Sequence, residues 1–279
     1  VPLINSMDDR AALMRRLYGI DDVIFAHFDR AMMEMPWEEF LGAFLVREHG
    51  AAHLVCGHDF RFGYRGQGTP ERLREIYFEL LGQGAHNIEL VTPTHFLPWI
   101  LPSLEPKLPV PVVYNCGGYE KVETLRLLEG KVDVWLPDLK YSDGALAREL
   151  SGAEDYFPVA CDAIREMFRQ TGRPVYDGNG LMRRGVIVRH LVLPGYLDNT
   201  RRVLDWLAET FAPGDVAVSL MSQYTPPPHM TGRLARRVTA AEYRAAVAYM
   251  RNCGIEDGFV QERTSAREEY TPAFDLTGV

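Results

Sequence analysis

Residues 110–141 read VPVVYNCGGYEKVETLRLLEGKVDVWLPDLKY. Two apolar, β-branched runs, Val110–Tyr114 and Val132–Leu136, flank a segment from Tyr119 to Leu128 with a helical pattern of apolar residues. Asn115, Gly117 and Gly118 form a loop after the first run. A strand, a helix and a second strand in about thirty residues make a βαβ unit. Antiparallel strands can be joined by a tight hairpin, whereas parallel strands need a crossover of this length. This stretch therefore predicts two parallel strands with a helix packed across them.

The same rhythm extends both ways along the 279 residues. Further strands are expected at Ile20–Phe25, Ala52–Cys56, Asn87–Val91, Val186–Leu191, Val216–Leu220 and Asp257–Val260, which makes eight candidates. Helices are expected at Asp8–Leu17, Pro36–Arg47, from Pro70 onward behind a Thr69 cap, and at Ala145–Leu150, Phe157–Gln170, Thr200–Phe211 and Ala240–Asn252. Leu97–Leu104 is a further helix, interrupted by Pro98 and Pro102. The fold class is α/β with a mainly parallel sheet. A partial or closed (β/α) barrel and an open sheet both satisfy the pattern.

Hydrophobic residues make up 47% of the chain and charged residues 24%, as in ordinary globular domains. A formal charge of −8 opposes binding to nucleic acid or to an anionic membrane surface. Four cysteines in this length are no disulfide framework, and a reducing, cytoplasmic setting is expected. No apolar run is long enough to span a bilayer. The expected partners are a protein or small-molecule substrate.

Two resemblances divide the chain. From about Glu71 onward, QGAHNIELVTPTHF, VVYNCGGYEKVETLRLLEG, VDVWLPDLKY and GVIVRHLVLPG closely resemble radical S-adenosylmethionine proteins of the pyruvate formate-lyase-activating-enzyme-like branch. Residues from about 2 to 74, with HFDRAMMEMPWEEFL and LVCGHDFRFGYRGQGT, resemble the adenylyltransferase part of bifunctional riboflavin kinase/FAD synthetases. That family's HxGH-type motif, its Ser/Thr-Arg motif and its kinase barrel have no counterpart here. The expected organisation is an N-terminal βα segment, residues 1–68, followed by a radical-SAM-like barrel core, residues 69–279. The join falls near Thr69–Glu75, where both resemblances place a helix.

The first resemblance implies reductive cleavage of S-adenosylmethionine at a [4Fe–4S] cluster, followed by hydrogen abstraction. The cluster requires three closely spaced thiolates. The chain offers only Cys56, Cys116, Cys161 and Cys253, with no C-x3-C-x2-C. The family's cluster is thus expected by resemblance and unsupported by the sequence. No metal ligands and no catalytic residue are assigned. Cys56 with His58 and Asp59 could bind a metal or simply end a strand.

The cofactor-side residues are better represented. Asp138 and Lys140 follow a strand two apart and so share a face. The resemblance assigns them to the S-adenosylmethionine site, with Lys140 meeting the carboxylate. Asn115, Gly117 and Gly118 either cradle a ligand or make a plain turn. Thr92 and Thr94, with His95, follow the strand at Asn87–Val91; Thr94 either meets the ligand or caps the next helix. His190 either lines the pocket or is a satisfied structural histidine; if the strand stays regular, Arg189 points to the opposite face and is expected to be structural. Gln223, with Tyr224, would close the site from its far side. Arg61, Phe62, Tyr64 and Arg65 either stack on and pair with a flavin phosphate or form a structural, solvent-facing loop; the second resemblance makes a flavin or adenine nucleotide-binding fragment the alternative function. A noncatalytic scaffold is the third reading.

Overall fold

The computed structural model describes residues 69–226, 230–255 and 258–260. The expectations for residues 1–68, including the strands Ile20–Phe25 and Ala52–Cys56, the Cys56–Asp59 string and the loop with Arg61 and Phe62, lie outside the described residues.

The described elements run α1 (Pro70–Gly82), β1 (Ile88–Val91), a 3-10 turn (Pro93–Phe96), α2 (Leu97–Ser103), β2 (Val112–Cys116), α3 (Val122–Arg126), β3 (Val134–Pro137), α4 (Gly144–Ser151) and α5 (Tyr156–Thr171). They continue with β4 (Val175–Tyr176), β5 (Met182–Leu191), α6 (Leu197–Thr210), β6 (Ala217–Met221), a second 3-10 turn (Gly232–Ala235), α7 (Ala240–Asn252) and β7 (Gly258–Val260).

The sheet order is β1-β2-β3-β5-β6-β7, and every neighbouring pair on that path is parallel. This order never reverses, so the sheet has no topological switch point. Right-handed crossovers in a monotonic order put every connecting helix on one face, which is the winding of a (β/α) barrel rather than of a doubly wound sheet. Among the described residues β1 and β7 do not pair with each other, so the barrel is partial there.

The two faces differ as this winding requires. Leu90, Tyr114, Trp135, Val186, Val188, His190 and Leu220 point to the helix-covered side and are buried. The opposite face carries Glu89, Asn115, Arg189 and Leu191 at partial or full exposure, with Val91 63% and Phe259 52% exposed at its two margins. Helix α5 shows how the sequence builds the covered side. Tyr156, Ala160, Ala163, Ile164, Met167 and Thr171 recur at helical spacing and are all buried. Gly172, at φ 68, ends the helix.

Three local differences from the sequence reading have physical causes. The Tyr119–Leu128 helix starts only at Val122, because Gly118 takes φ 80 and Glu120 turns inward. Pro102 does lie inside α2, which is confined to seven residues. β5 begins at Met182 because its first residues pair antiparallel with the two-residue β4. The Asp177 carboxylate closes that hairpin by accepting the N–H groups of Asn179 and Leu181.

Candidate functional site at the strand ends

In a parallel α/β sheet the C-terminal strand ends converge, and loops there carry the ligand-facing groups. Here those ends hold one connected polar chain on the open face. Asn115, in β2, donates from Nδ2 to Glu89 Oε1 at 2.7 Å and accepts from Arg189 Nη2 at 2.6 Å. The same Arg189 nitrogen lies 2.7 Å from Asp138 Oδ1, and Asp138 Oδ2 lies 3.6 Å from Lys140 Nζ. Charge thus alternates along the strand ends: Glu89 on β1, Arg189 on β5, Asp138 just past β3, then Lys140. Arg189 Nε is buried without an acceptor, and the Asp138 contact is a charge contact rather than an aligned hydrogen bond. Leaving such groups unsatisfied costs about 1–3 kcal/mol each. The floor of the cluster therefore holds bonding capacity that its own residues do not use.

The glycines set how closely the loops meet. A Cβ on Gly118 would lie 2.0 Å from the Asp138 carbonyl oxygen, so only glycine allows the β2 and β3 loops this approach. A Cβ on Gly117 would meet Lys140 Nζ at 3.8 Å, an ordinary contact. Asn115, Gly117, Gly118, Asp138 and Lys140 are therefore brought together.

Thr94 belongs to a neighbouring arrangement beneath the sheet rim. Its hydroxyl donates to Glu120 Oε1 at 2.8 Å, which leaves its oxygen to accept from Tyr114 Oη at 2.9 Å. Glu120 is buried, and burial raises its carboxyl pKa while the Thr94 bond opposes the rise. Thr92 sits exposed at φ 46, an uncommon conformation for a β-branched residue, and donates its N–H to the Asn115 carbonyl at 2.8 Å.

His190 lies on the other, helix-covered face and is fully buried. Its Nδ1 is 2.7 Å from the Leu139 carbonyl, which can only accept, so Nδ1 carries the proton. Nε2 then accepts from the Thr200 hydroxyl at 3.0 Å. Burial lowers the ring pKa to about 4, with the Leu139 bond opposing the shift. The ring is neutral and its side chain does not reach the charged chain above. Gln223 follows β6, and its amide lies 3.9 Å from the Met221 sulfur.

Several contributors carried no local signal. Arg189 was assigned to the face opposite His190, and that face is the one with Asp138 and Asn115. Glu120 stands inside the quoted YNCGGYE without distinction. Tyr156, at the start of α5, reads as one more core aromatic. Its hydroxyl accepts the Lys140 N–H at 3.0 Å and directs its proton between the carbonyls of Gly117 and Asp138, at 2.8 and 2.9 Å.

Among the described residues, which do not include Cys56, the donor set does not fit an iron–sulfur cluster. Such a cluster needs three converging thiolates. Cys116 is in β2, Cys161 in α5 and Cys253 just past α7. Burial pushes all three thiols up, Cys161 to about 12, which holds them protonated. Among the described residues no group of three His, Cys, Asp or Glu is placed to hold a metal ion. Also among the described residues, no helix is long and apolar enough to cross a membrane. A separate cavity of about 390 Å³ lies at the opposite ends of the strands, lined by Leu207, Phe211, Val216, Cys253 and Ile255 among others.

Comparison with known proteins gives partial matches. The FAD synthetase family model matches residues 1–92. An uncharacterized protein of Methanocaldococcus jannaschii is 31% identical over 118 residues, which cover 42% of this chain and 30% of that protein. The chain thus spans under a third of that relative's length. Among solved structures, a domain of pyruvate-formate lyase-activating enzyme from Bacteroides vulgatus is similar at TM-score 0.46 and 11% identity, covering 63% of this chain and 98% of that one. SuiB of Streptococcus suis bound to S-adenosylmethionine is similar at TM-score 0.49 and 11% identity, covering 94% of this chain and 63% of that one. SuiB bound to its precursor peptide SuiA gives 0.48 and 12%, covering 91% and 60%.

Proposed function

We propose that the strand-end cluster binds S-adenosylmethionine or a close adenosyl amino acid, on a radical-SAM-type barrel whose described residues do not hold a cluster. One observation carries this reading. Lys140 presents a half-exposed ammonium beside Gly117, 3.6 Å from the Asp138 carboxylate, at the C-terminal ends of parallel strands. A cation and an anion at that spacing complement an amino acid's own carboxylate and ammonium. The VTPTHF, YNCGGYE and LPDLKY motifs support S-adenosylmethionine as the ligand, because they resemble those of the radical S-adenosylmethionine family. The reductive cleavage that family performs needs an iron–sulfur cluster, so no cleavage step is assigned to these residues. A protein or small-molecule substrate would meet the ligand on the same open face.

Calorimetric titration with S-adenosylmethionine, on wild type and K140M, tests the reading. Methionine keeps most of the apolar stem and deletes the charge. Wild type is expected to bind, and K140M to bind about tenfold more weakly or worse, as for loss of one charge-assisted contact. Equal binding by both removes Lys140 from the site. No binding by wild type at millimolar ligand rejects the assignment.

The FAD synthetase match over residues 1–92 favours a second reading, in which the DFRFG sequence at 59–63 contacts a flavin nucleotide. Quenching of flavin fluorescence on titrating FMN with the protein, lost in R61A, supports it; unquenched FMN rejects it.

A further inference from the structure

β3 ends at Pro137, and the last sheet bond beyond it runs from Leu139 N to the Arg189 carbonyl at 2.8 Å. Lys140 has therefore left the ladder, and both its peptide groups are taken up by side chains instead. Its N–H donates to Tyr156 Oη at 3.0 Å. Its carbonyl accepts from Asn199 Nδ2 at 3.0 Å. Asn199 turns its other end to Ser142, accepting the backbone N–H at 2.7 Å and the hydroxyl at 3.0 Å. The amide orientation follows from its partners, since a carbonyl only accepts and an N–H only donates.

Tyr156 and Asn199 are both buried, at 3% and 2% exposure, and come from two helices, α5 and α6. Burying an amide and a phenol is costly unless they are bonded, and here the bonds go to the one loop that carries the exposed cation. Tyr156 also holds the Gly117 carbonyl, so the glycine loop and the lysine loop share one anchor. His190 supports the same loop one residue earlier, through the Leu139 carbonyl. A lysine side chain has several rotatable bonds, and fixing the peptide at its root removes the largest displacement of its ammonium.

We propose that Asn199 and Tyr156 are positioning residues that clamp Lys140 by its own N–H and carbonyl, setting its ammonium for a ligand carboxylate. This deepens the ligand reading above and rests on it. N199D separates the clamp from general bracing. Aspartate still accepts from Ser142 but cannot donate to the Lys140 carbonyl. Y156F keeps the ring, including its stacking on Tyr119 at 6.0 Å, and removes every hydroxyl bond.

Two measurements on the full chain decide it, with thermal melting to confirm that each variant folds. The first needs no ligand: the acylation rate of the Lys140 amine, read by mass spectrometry against Lys121 and Lys131. N199D and Y156F are expected to raise the Lys140 rate at least threefold and leave the other two unchanged. Unchanged Lys140 rates in both variants overturn the clamp. The second compares S-adenosylmethionine with its decarboxylated form. N199D is expected to weaken the first about tenfold, as for one buried hydrogen bond, and leave the second unaltered. Equal loss for both ligands overturns action through Lys140. Wild type that binds neither ligand overturns the ligand reading, and the clamp then stands or falls on the labelling rates.

Discussion

Gly118→Ala is the sharpest test of how the site is assembled. Gly118 has φ 80, and an added methyl would stand 2.0 Å from the Asp138 carbonyl oxygen and 3.2 Å from the Tyr156 hydroxyl. Placing alanine in the left-handed region costs about 1–2 kcal/mol. The overlap is with backbone, which cannot rotate away, so the β3 loop must shift, at about 1–3 kcal/mol more for forced overpacking. The expected loss is therefore about 2–5 kcal/mol, read as a fall in the urea midpoint at constant slope. Gly117→Ala is the internal control. Its methyl would meet only Lys140 Nζ at 3.8 Å, and its expected cost is within about 0.5 kcal/mol. If the two variants are equally stable, the close approach of the β2 and β3 loops is not as described and the reasoning fails.

Two further outcomes follow from the buried titratable groups. The neutral His190 ring has its pKa lowered to about 4 from the ordinary 6.5, so the unfolded chain binds the proton more readily. Its contribution is complete above pH 6.5 and is lost as the pH falls towards 4, by about 3 kcal/mol in total; H190Q should flatten that part of the stability–pH curve, and an unchanged slope would refute the assignment. Glu120 has its pKa raised by burial, so its charge costs stability at higher pH. E120Q keeps an acceptor for Thr94, and its stability relative to wild type should rise as the pH climbs above the ordinary carboxylate range; a constant difference argues against a desolvated carboxyl.

The sequence made the sheet legible because each parallel strand is a short apolar run closed by a turn and followed by a helix. Val132–Leu136 and Val216–Leu220 are found within two residues of β3 and β6. β4 was not legible, since two residues carry no periodicity. Alternation along β5 placed Arg189 and His190 on opposite faces, but it does not say which face the helices cover; that follows from the monotonic strand order. Strand ends alone suggest a cluster of Asn115, Gly118, Asp138 and Lys140, but they also put His190 in it, which is buried on the other face against Thr200. Tyr156 and Asn199 were not, because their polar atoms act through backbone groups far away in sequence: Asn199 is 59 residues from Lys140. A buried tyrosine at helical spacing looks the same whether its hydroxyl braces a loop or not. The alternating charges from Glu89 to Lys140 likewise need three-dimensional register, with Asn115 level with Val91 and Leu136 in adjacent strands.

The central claim is that one polar cluster at the C-terminal strand ends receives the adenosyl ligand. Amide NMR shifts on titration with S-adenosylmethionine test it most directly. The account predicts saturable shifts concentrated at 92–94, 115–118 and 138–140, needing at least about tenfold more ligand in K140M. Shifts confined to the cavity around Leu207, Phe211 and Cys253 at the other end of the strands, or none at saturating ligand, would contradict it.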